Sequence, residues 1–235
     1  MKVQVKRKGS NLVVTGACVD IEYTVQGPIA NNTYVVSDDQ ATFVVDPSHD
    51  VDAIMSLVGN RNIDAIVLTH HHADHVSALK ALKDKTGATV YASAIDEPVI
   101  ENQPKGFPPA ESCKVDVRLN DKDTLKLGNM AWKVILTPGH TPGGICLFLE
   151  SNKGKYLDGA NVLISGDTLF CGSIGRTDFE GGNRCVHLCV VCLNFLMIPW
   201  CCRAIIRLLR LLMNNVEYLH ISVKRNSLSV YNCYV

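Results

Sequence analysis

Short apolar runs separated by turn residues dominate the beginning of the chain. Four of these runs predict β-strands in close succession, at residues 12–14, 21–25, 33–36 and 42–45. The breaks between them contain turn-forming residues such as Gly27-Pro28 and Asp38-Asp39. Short strands joined by tight turns predict an antiparallel start to a sheet.

The apolar period then changes to that of a helix. Val51, Ile54 and Leu57 recur at helical spacing, which predicts a helix over residues 49–58. A second helical pattern follows at residues 76–82. It lies between two apolar runs that predict strands, at residues 63–68 and 89–92. Ser93 is then a candidate N-cap for a short helix ending at residue 100. This order of strand, helix and strand predicts parallel pairing beside the antiparallel strands.

A second series of apolar runs predicts further strands, at residues 115–119, 124–127, 132–136, 145–149 and 162–165. The 235 residues suffice for one domain whose core lies between two sheet layers. Helices and strands of both pairing types predict an α/β (α+β) fold. Ligand-type residues follow three of the strands, and strand ends are where functional sites are usually built.

The densest chemistry follows the run at residues 63–68. Residues 69–75 hold four histidines and an aspartate, a density that packing does not explain. In an extended loop, residues two apart point the same way, so His70 and His72 can reach one metal ion. Asp74 and His75 then face a neighbouring position, while His71 is expected to point away. The stretch predicts half of a metal site.

Two later loops offer the remaining ligands. His140 lies in a Pro-Gly-His-Thr-Pro-Gly turn and can complete the first site as a third imidazole, while Asp167 is placed to bridge two ions. Two ions about 3.5–4 Å apart would lower the pKa of a shared water toward ~7 and polarise a carbonyl. Zinc is the default metal, although imidazole and carboxylate ligands also accept iron or manganese. The competing Ser-His-Asp chemistry lacks a Gly-x-Ser-x-Gly motif here. Asp46, in an Asp-Pro pair, either ends its strand or hydrogen-bonds near the site.

Three motifs in sequence carry a family resemblance. They are His70-x-His72-x-Asp74-His75, Gly139-His140-Thr141-Pro142-Gly143 and Gly166-Asp167-Thr168-Leu169-Phe170. Together they resemble the metallo-β-lactamase superfamily over residues 12–182. The continuation through Gly175-Arg176-Thr177-Asp178 resembles its short bacterial glyoxalase II branch, the hydroxyacylglutathione hydrolases.

The resemblance implies a fold, a reaction and residue roles. The fold is an αββα sandwich with the metals at one edge, and the reaction is hydrolysis of a small glutathione thioester by a metal-bound hydroxide. The resemblance assigns the first metal to His70, His72 and His140, and the second to Asp74, His75 and the bridging Asp167. It makes Asp74 the catalytic carboxylate as well. Arg176 falls where this branch holds the glutathione carboxylate, or else it is an ion-pair partner of Asp178.

The resemblance stops where one more imidazole is needed. The family supplies a second-site histidine about forty residues after the bridging aspartate, but no Pro-Gly-His segment occurs here. His187 follows Asp167 too soon, and His220 lies in a strand-like run without the flanking turn. The last strand and helix of the sandwich are therefore expected to be missing or replaced. An impaired metal-binding remnant, or a persulfide dioxygenase, lactonase or β-lactamase reaction, stays open as the alternative.

Composition changes at the same point. Residues 1–183 hold 17 Lys and Arg against 22 Asp and Glu, a net charge of −5, whereas residues 184–235 hold six against one, a net of +5. The sequence thus predicts a metallo-β-lactamase-like domain over 1–183 and a divergent Cys-rich apolar tail over 184–235. Residues 185–202 carry no charge and form a marginal membrane-segment candidate. A changed reading frame near residue 184 would also explain the switch.

Net charge, the N-terminal sequence and the cysteine spacing limit the kinds of protein that are expected. The formal net charge is zero, which argues against a nucleic-acid-binding protein. The basic N-terminus is followed by no long apolar segment, so a cytoplasmic protein is expected. Four cysteines scattered through the first 183 residues have no disulfide-framework spacing and are expected to be thiols.

Overall fold

The computed structural model describes residues 4–8, 11–15, 18–105, 108–150, 161–170, 173–183, 218–224 and 227–233. In the strands before Cys18 and after Asn183, only the backbone is described. The described residues form two sheets, a short two-stranded ribbon and four α-helices.

The first sheet has eight strands that neighbour one another in chain order. They are β1 (Gln4–Lys8), β2 (Asn11–Thr15), β3 (Asp20–Gln26), β4 (Asn31–Ser37), β5 (Thr42–Val45), β6 (Ala65–Val67), β7 (Thr89–Ser93) and β8 (Val117–Leu119). Strands β1 to β5 pair antiparallel, and β5 to β8 pair parallel. The predicted change from antiparallel to parallel pairing is confirmed.

Four helices connect the strands of the parallel half. They are α1 (Val51–Val58), α2 (Ala73–Val76), α3 (Leu79–Thr86) and α4 (Glu97–Glu101). The Asp50 carboxylate caps α1 by accepting from the N–H groups of Asp52 and Ala53. Leucines and isoleucines of α1 and α3 pack on one face of the sheet, against residues such as Val44 and Ile66.

The predicted capping role of Ser93 is wrong. Ser93 ends β7, and α4 begins four residues later at Glu97, with Pro98 in its first turn. Asp96 occupies the N-cap position, but its side chain makes no capping hydrogen bond. That carboxylate is engaged elsewhere.

The second sheet has six strands. In spatial order they are β9 (Thr124–Leu127), β10 (Met130–Leu136), β11 (Ile145–Leu149), β12 (Asn161–Ile164), β15 (Tyr218–Lys224) and β16 (Ser227–Cys233). A 3-10 turn over Gly166–Thr168 leads from β12 into the ribbon of β13 (Leu169–Phe170) and β14 (Ser173–Ile174). Strand β15 pairs parallel with β12, placing His220 opposite Leu163. Strands β15 and β16 thus form one edge of this sheet, which agrees with the expected replacement of the last strand.

The main core lies between the two sheets. Phe43 of the first sheet and Trp132 of the second are both fully buried, and their rings meet edge to face at 5.7 Å. Each aromatic ring removes a large apolar area from water and adds about 0.5–1.5 kcal/mol through its pairing geometry. Two sheets around one core, with helices outside the first, form the predicted α+β sandwich.

No helix within the described ranges is long and apolar enough to cross a membrane. The apolar stretch 185–202 lies outside the described residues.

Candidate metal centre

The candidate ligands meet at one edge of the sandwich, where loops from both sheets converge. The Thr69 carbonyl accepts from the Ile145 N–H at 2.8 Å, which joins the end of β6 to the start of β11. The Thr137 and Thr168 hydroxyls are 2.8 Å apart. Gly166 lies so close to Thr69 that a Cβ on it would be 2.3 Å from the threonine hydroxyl. These contacts bring the histidine loop, the His140 turn and Asp167 together.

Three imidazoles form the first cluster. Ligand atoms of His70, His72 and His140 all lie within 4.8 Å of one another, as a shared metal ion requires. His72 Nδ1 lies 2.9 Å from His140 Nε2. His140 Nδ1 donates to the Arg176 carbonyl at 2.6 Å, so its Nε2 keeps a free lone pair. Three imidazoles whose nitrogen atoms face one point are the donor set of a three-histidine metal site.

A second group lies beside the first. Asp167 is placed between the clusters: its Oδ1 is 3.3 Å from His75 Nε2, and its Oδ2 is 3.4 Å from His140 Nε2. Asp74 Oδ2 is 3.8 Å from His75 Nε2 and accepts from Asn31 Nδ2 at 2.6 Å. The structure therefore brings together all six residues that the sequence proposed as ligands. The side chain of His220 lies outside the described part.

The buried Asp46 carboxylate contacts two of these imidazoles, His75 directly and His70 through Thr69. Asp46 is 1% exposed and adopts φ of +50°, a conformation that Asp tolerates better than most residues. Its Oδ2 accepts from His75 Nδ1 at 2.9 Å and from the Thr69 hydroxyl at 2.6 Å. Having given its proton to Asp46, that hydroxyl accepts from His70 Nδ1 at 3.0 Å. One carboxylate thus holds a proton on the Nδ1 atom of each histidine, directly for His75 and through the Thr69 hydroxyl for His70.

The surroundings of His70 Nε2 and His75 Nε2 show whether the residues present fit a metal ion. Both nitrogen atoms are buried. His70 Nε2 has no hydrogen-bond partner within the described residues, and the Asp167 carboxylate lies 3.3 Å from His75 Nε2. A buried polar atom without a partner costs free energy unless something binds it. Unprotonated imidazole nitrogens beside carboxylate oxygens suit zinc and similar ions. The residues present fit the metal that the sequence predicts.

Burial and mutual repulsion keep the first cluster neutral. Burial, with the neighbouring imidazoles, lowers the pKa of His70 well below its ordinary value and that of His72 to about 4. Burial also lowers the pKa of His140. Burial works against the charge on His75 as well, but Asp167 and Asp46 outweigh it and raise the pKa of His75. The first cluster is therefore ready to bind a cation at neutral pH, since its ligands carry no proton to lose.

Arg176 and Phe179 form the rim of the site. The Arg176 guanidinium makes two hydrogen bonds of 2.9 Å to Asp178 and lies 4.5 Å from the Phe179 ring centre. The Phe179 ring meets His72 and His140 edge to face, at 4.9 and 5.5 Å. The Arg176 side chain is 69% exposed. It thus makes the ion pair with Asp178 and still faces solvent at the mouth of the site.

Sequence reasoning underrated Asp46 and missed Asp96, Asn31 and Phe179. Asp96 is 1% exposed and contacts both ligand loops. Asp46 was signalled by its position at the end of a strand that neighbours the histidine strand in a parallel sheet. Asp96 and Asn31 carried no comparable signal, because their contacts span 25–47 and 43 residues of sequence.

Comparison with known proteins agrees with this geometry. The sequence model of the metallo-beta-lactamase superfamily matches residues 26–190. An uncharacterised protein of Aquifex aeolicus is 37% identical over 164 residues, covering 67% of this chain and 74% of that protein. The hydroxyacylglutathione hydrolase GloC of Haemophilus influenzae is 31% identical over 162 residues, covering 65% of this chain and 73% of that protein.

A solved structure gives the same result. The BLEG-1 B3 metallo-beta-lactamase aligns with a TM-score of 0.66 at 31% identity, covering 76% of this chain and 87% of that one. The alignment includes three quarters of this chain, which is far more than the ligand motifs alone. The chain therefore belongs to the metallo-beta-lactamase superfamily.

Proposed function

We propose that the chain is a metal-dependent hydrolase of glutathione thioesters. Membership of a superfamily of metallo-hydrolases sets the reaction class. The observation that carries the proposal is the first cluster, in which two buried imidazoles and one partly buried imidazole, all neutral, face one point. The sequence similarity to a hydroxyacylglutathione hydrolase supports the thioester as the bond that is cleaved.

The metal would be held by residues of both sheets. His70, His72 and His140 form one set of ligands, while Asp74 and His75 form a second, with Asp167 shared between them. A bound metal ion supplies an acidified water and polarises a carbonyl. Zinc is the proposed ion, and iron or manganese also suit this donor set.

The protein's own residues orient the imidazole ligands and accept a proton from the attacking water. Asp46 fixes the proton of His75 on Nδ1, and the Arg176 carbonyl fixes that of His140 on Nδ1. We assign to Asp74 the role of accepting the proton of the attacking water, because its carboxylate is partly exposed beside the cluster. Asn31 holds Asp74 Oδ2 by one hydrogen bond, leaving Oδ1 to take part in the reaction.

The rim residues suit a glutathione conjugate. Arg176 presents a guanidinium fork at the mouth of the site, a geometry that recognises carboxylates. The partly exposed Phe179 ring beside His72 offers an apolar surface to the acyl group. We propose that Arg176 binds a glutathione carboxylate. Reduced glutathione is maintained in the cytoplasm, where we place the reaction.

Metal content and turnover together test the proposal. Hydrolysis of S-lactoylglutathione with two metal ions per chain by elemental analysis would support the proposal, including the second ligand set that lacks the family's further histidine. One metal and no turnover of any thioester would overturn the proposal in favour of a metal-binding remnant. Turnover of a β-lactam or lactone alone would assign another reaction to the same scaffold.

A matched pair of variants links activity to the cluster. Turnover should fall further in His140→Ala than the about 10–100-fold loss that is typical when a substituted residue only orients a ligand. His49→Ala removes an exposed imidazole that lies outside both proposed ligand sets and should change neither metal content nor turnover.

A further inference from the structure

A carboxylate outside the proposed ligand set joins the two loops that carry the three imidazoles. Asp96 follows β7 and is 1% exposed. Its Oδ2 accepts from the His71 N–H at 3.1 Å and from the Thr141 hydroxyl at 2.9 Å. Its Oδ1 accepts from the Gly143 N–H at 2.8 Å. One side chain therefore holds both loops by three hydrogen bonds.

The three donors are placed beside the ligands in sequence. His71 lies between His70 and His72, and Thr141 directly follows His140. A shift of any of these donors moves the backbone of an adjacent imidazole. Because the two loops belong to different sheets, their relative position is set by contacts such as these and not by strand pairing.

The Asp96 carboxylate makes these contacts instead of capping a helix. Asp96 stands at the N-cap position of α4, yet its carboxylate does not cap that helix. The close approach also explains Gly143, since a Cβ there would lie 2.4 Å from Asp96 Oδ1 and 2.7 Å from its backbone nitrogen. His71 Nδ1 lies 3.0 Å from Asp96 Oδ2, so this imidazole faces the carboxylate and stays outside the metal-capable groups.

We propose that Asp96 is a positioning residue that sets the distance between the His70–His72 loop and the His140 loop, and so tunes metal affinity at the first cluster. The inference rests on the proposed metal site. Charged carboxylates make stronger hydrogen bonds than neutral acceptors, which suits a single group that must hold two loops. Buried, it is shielded from competition by water.

Substitution of Asp96 in the full chain tests this role. Asp96→Asn keeps the volume but turns an N–H₂ group toward donors, so zinc affinity should fall about 10–100-fold. Competition with a chromophoric chelator measures the affinity, and the visible spectrum of the cobalt(II) form reports ligand geometry. Glu22→Gln is the control: it removes the charge from the partly buried ion pair with Arg61 and should lower the Tm of the metal-free protein without changing zinc affinity.

A second pair keeps the proposal testable if Asp96→Asn fails to fold. Thr141→Ala removes one donor to Asp96 and should weaken zinc binding, whereas Thr141→Ser retains the hydroxyl and should restore it. Zinc affinity that stays at the wild-type value in Asp96→Asn or Thr141→Ala would overturn the inference while leaving the metal site standing. A wild-type chain that binds no zinc would overturn the proposed function itself and the inference with it.

Discussion

Asp46 Oδ2 lies 2.9 Å from His75 Nδ1, with both side chains buried beneath the candidate metal centre. The same oxygen also accepts from the Thr69 hydroxyl, which in turn accepts from His70 Nδ1. A carboxylate that accepts only can fix a tautomer, because the proton must lie on the nitrogen that faces it. Asp46 therefore directs one imidazole of each ligand set without being a proposed ligand.

Substitution of Asp46 should weaken both stability and metal binding. Asp46→Asn replaces one acceptor oxygen by an NH₂ group that faces buried donors, which should lower the free energy of unfolding of the metal-free protein by about 3 kcal/mol. Zinc affinity should fall about 10–100-fold, as for other residues that orient ligands. Chemical denaturation and chelator competition measure the two effects, and the ring ¹⁵N shifts of His75 should report a changed tautomer.

Asp50→Ala is the control for Asp46. Asp50 is an exposed helix cap on the same segment, and its loss should cost about 1 kcal/mol without changing zinc affinity. A metal affinity that falls equally in both variants would show that general destabilisation, and not the tautomer of His75, is responsible.

The metal-free protein should lose stability on acidification from pH 7.5 to 5. Burial lowers the pKa of His72 to about 4, so the unfolded chain takes up a proton below pH 6.5 that the folded chain refuses. His72 alone should cost about 2 kcal/mol over this range, from 1.36 kcal/mol per pH unit. His70 and His140, whose pKa values are also lowered, act in the same direction.

His75 opposes this trend. Its pKa is raised, so its contribution is complete below pH 6.5 and is lost as the pH rises through the folded-state value. The lowered pKa values of three histidines act against the raised pKa of His75, so acidification should lower the free energy of unfolding. His72→Ala should flatten the dependence measured by denaturation at several pH values in the presence of chelator. A curve that is unchanged by this substitution would contradict the assignment.

The parts of the fold that follow from local pattern could be predicted from the sequence. Strands β2 to β12, α1 and the change from antiparallel to parallel pairing follow from apolar period and turn residues, whereas β1 and the ribbon of β13 and β14 carried no such signal. The six proposed ligands follow from motif spacing, and the structure brings them to one edge. Such signals are short-range, and one chain displays them without an alignment.

Contacts between residues that are distant in the sequence could not be predicted in this way. Asp96 looked like part of a helix start, and Ser93 looked like its cap, because local propensity favours both. The packing of the two ligand loops instead draws the Asp96 carboxylate away from α4. Asp46 reads as the end of a strand until its neighbour in the sheet is known to carry the histidines.

Gly175 should tolerate no side chain. A Cβ there would lie 1.8 Å from the Asp167 carbonyl oxygen and 3.2 Å from His140 Nδ1. Gly175→Ala must therefore displace Asp167 or the segment that holds His140, and it should reduce the zinc content measured by elemental analysis. Gly87→Ala adds strain at φ of +69° but meets no atom within 4 Å, so it should cost about 1 kcal/mol and retain zinc. Full zinc content in Gly175→Ala would contradict the observed packing.

Arg176 should affect binding of the substrate more than its conversion. If its exposed guanidinium holds a glutathione carboxylate, Arg176→Ala should raise KM for S-lactoylglutathione about 10-fold while leaving kcat within about 2-fold, because an interaction made equally in the ground and transition states changes KM alone. A thioester without the glutathione carboxylates should show no such change. Asp178→Asn separates the two roles of Arg176, since it removes the ion pair but keeps the guanidinium. If Asp178→Asn and Arg176→Ala raise KM equally for both thioesters, Arg176 serves to order the rim segment and does not contact glutathione.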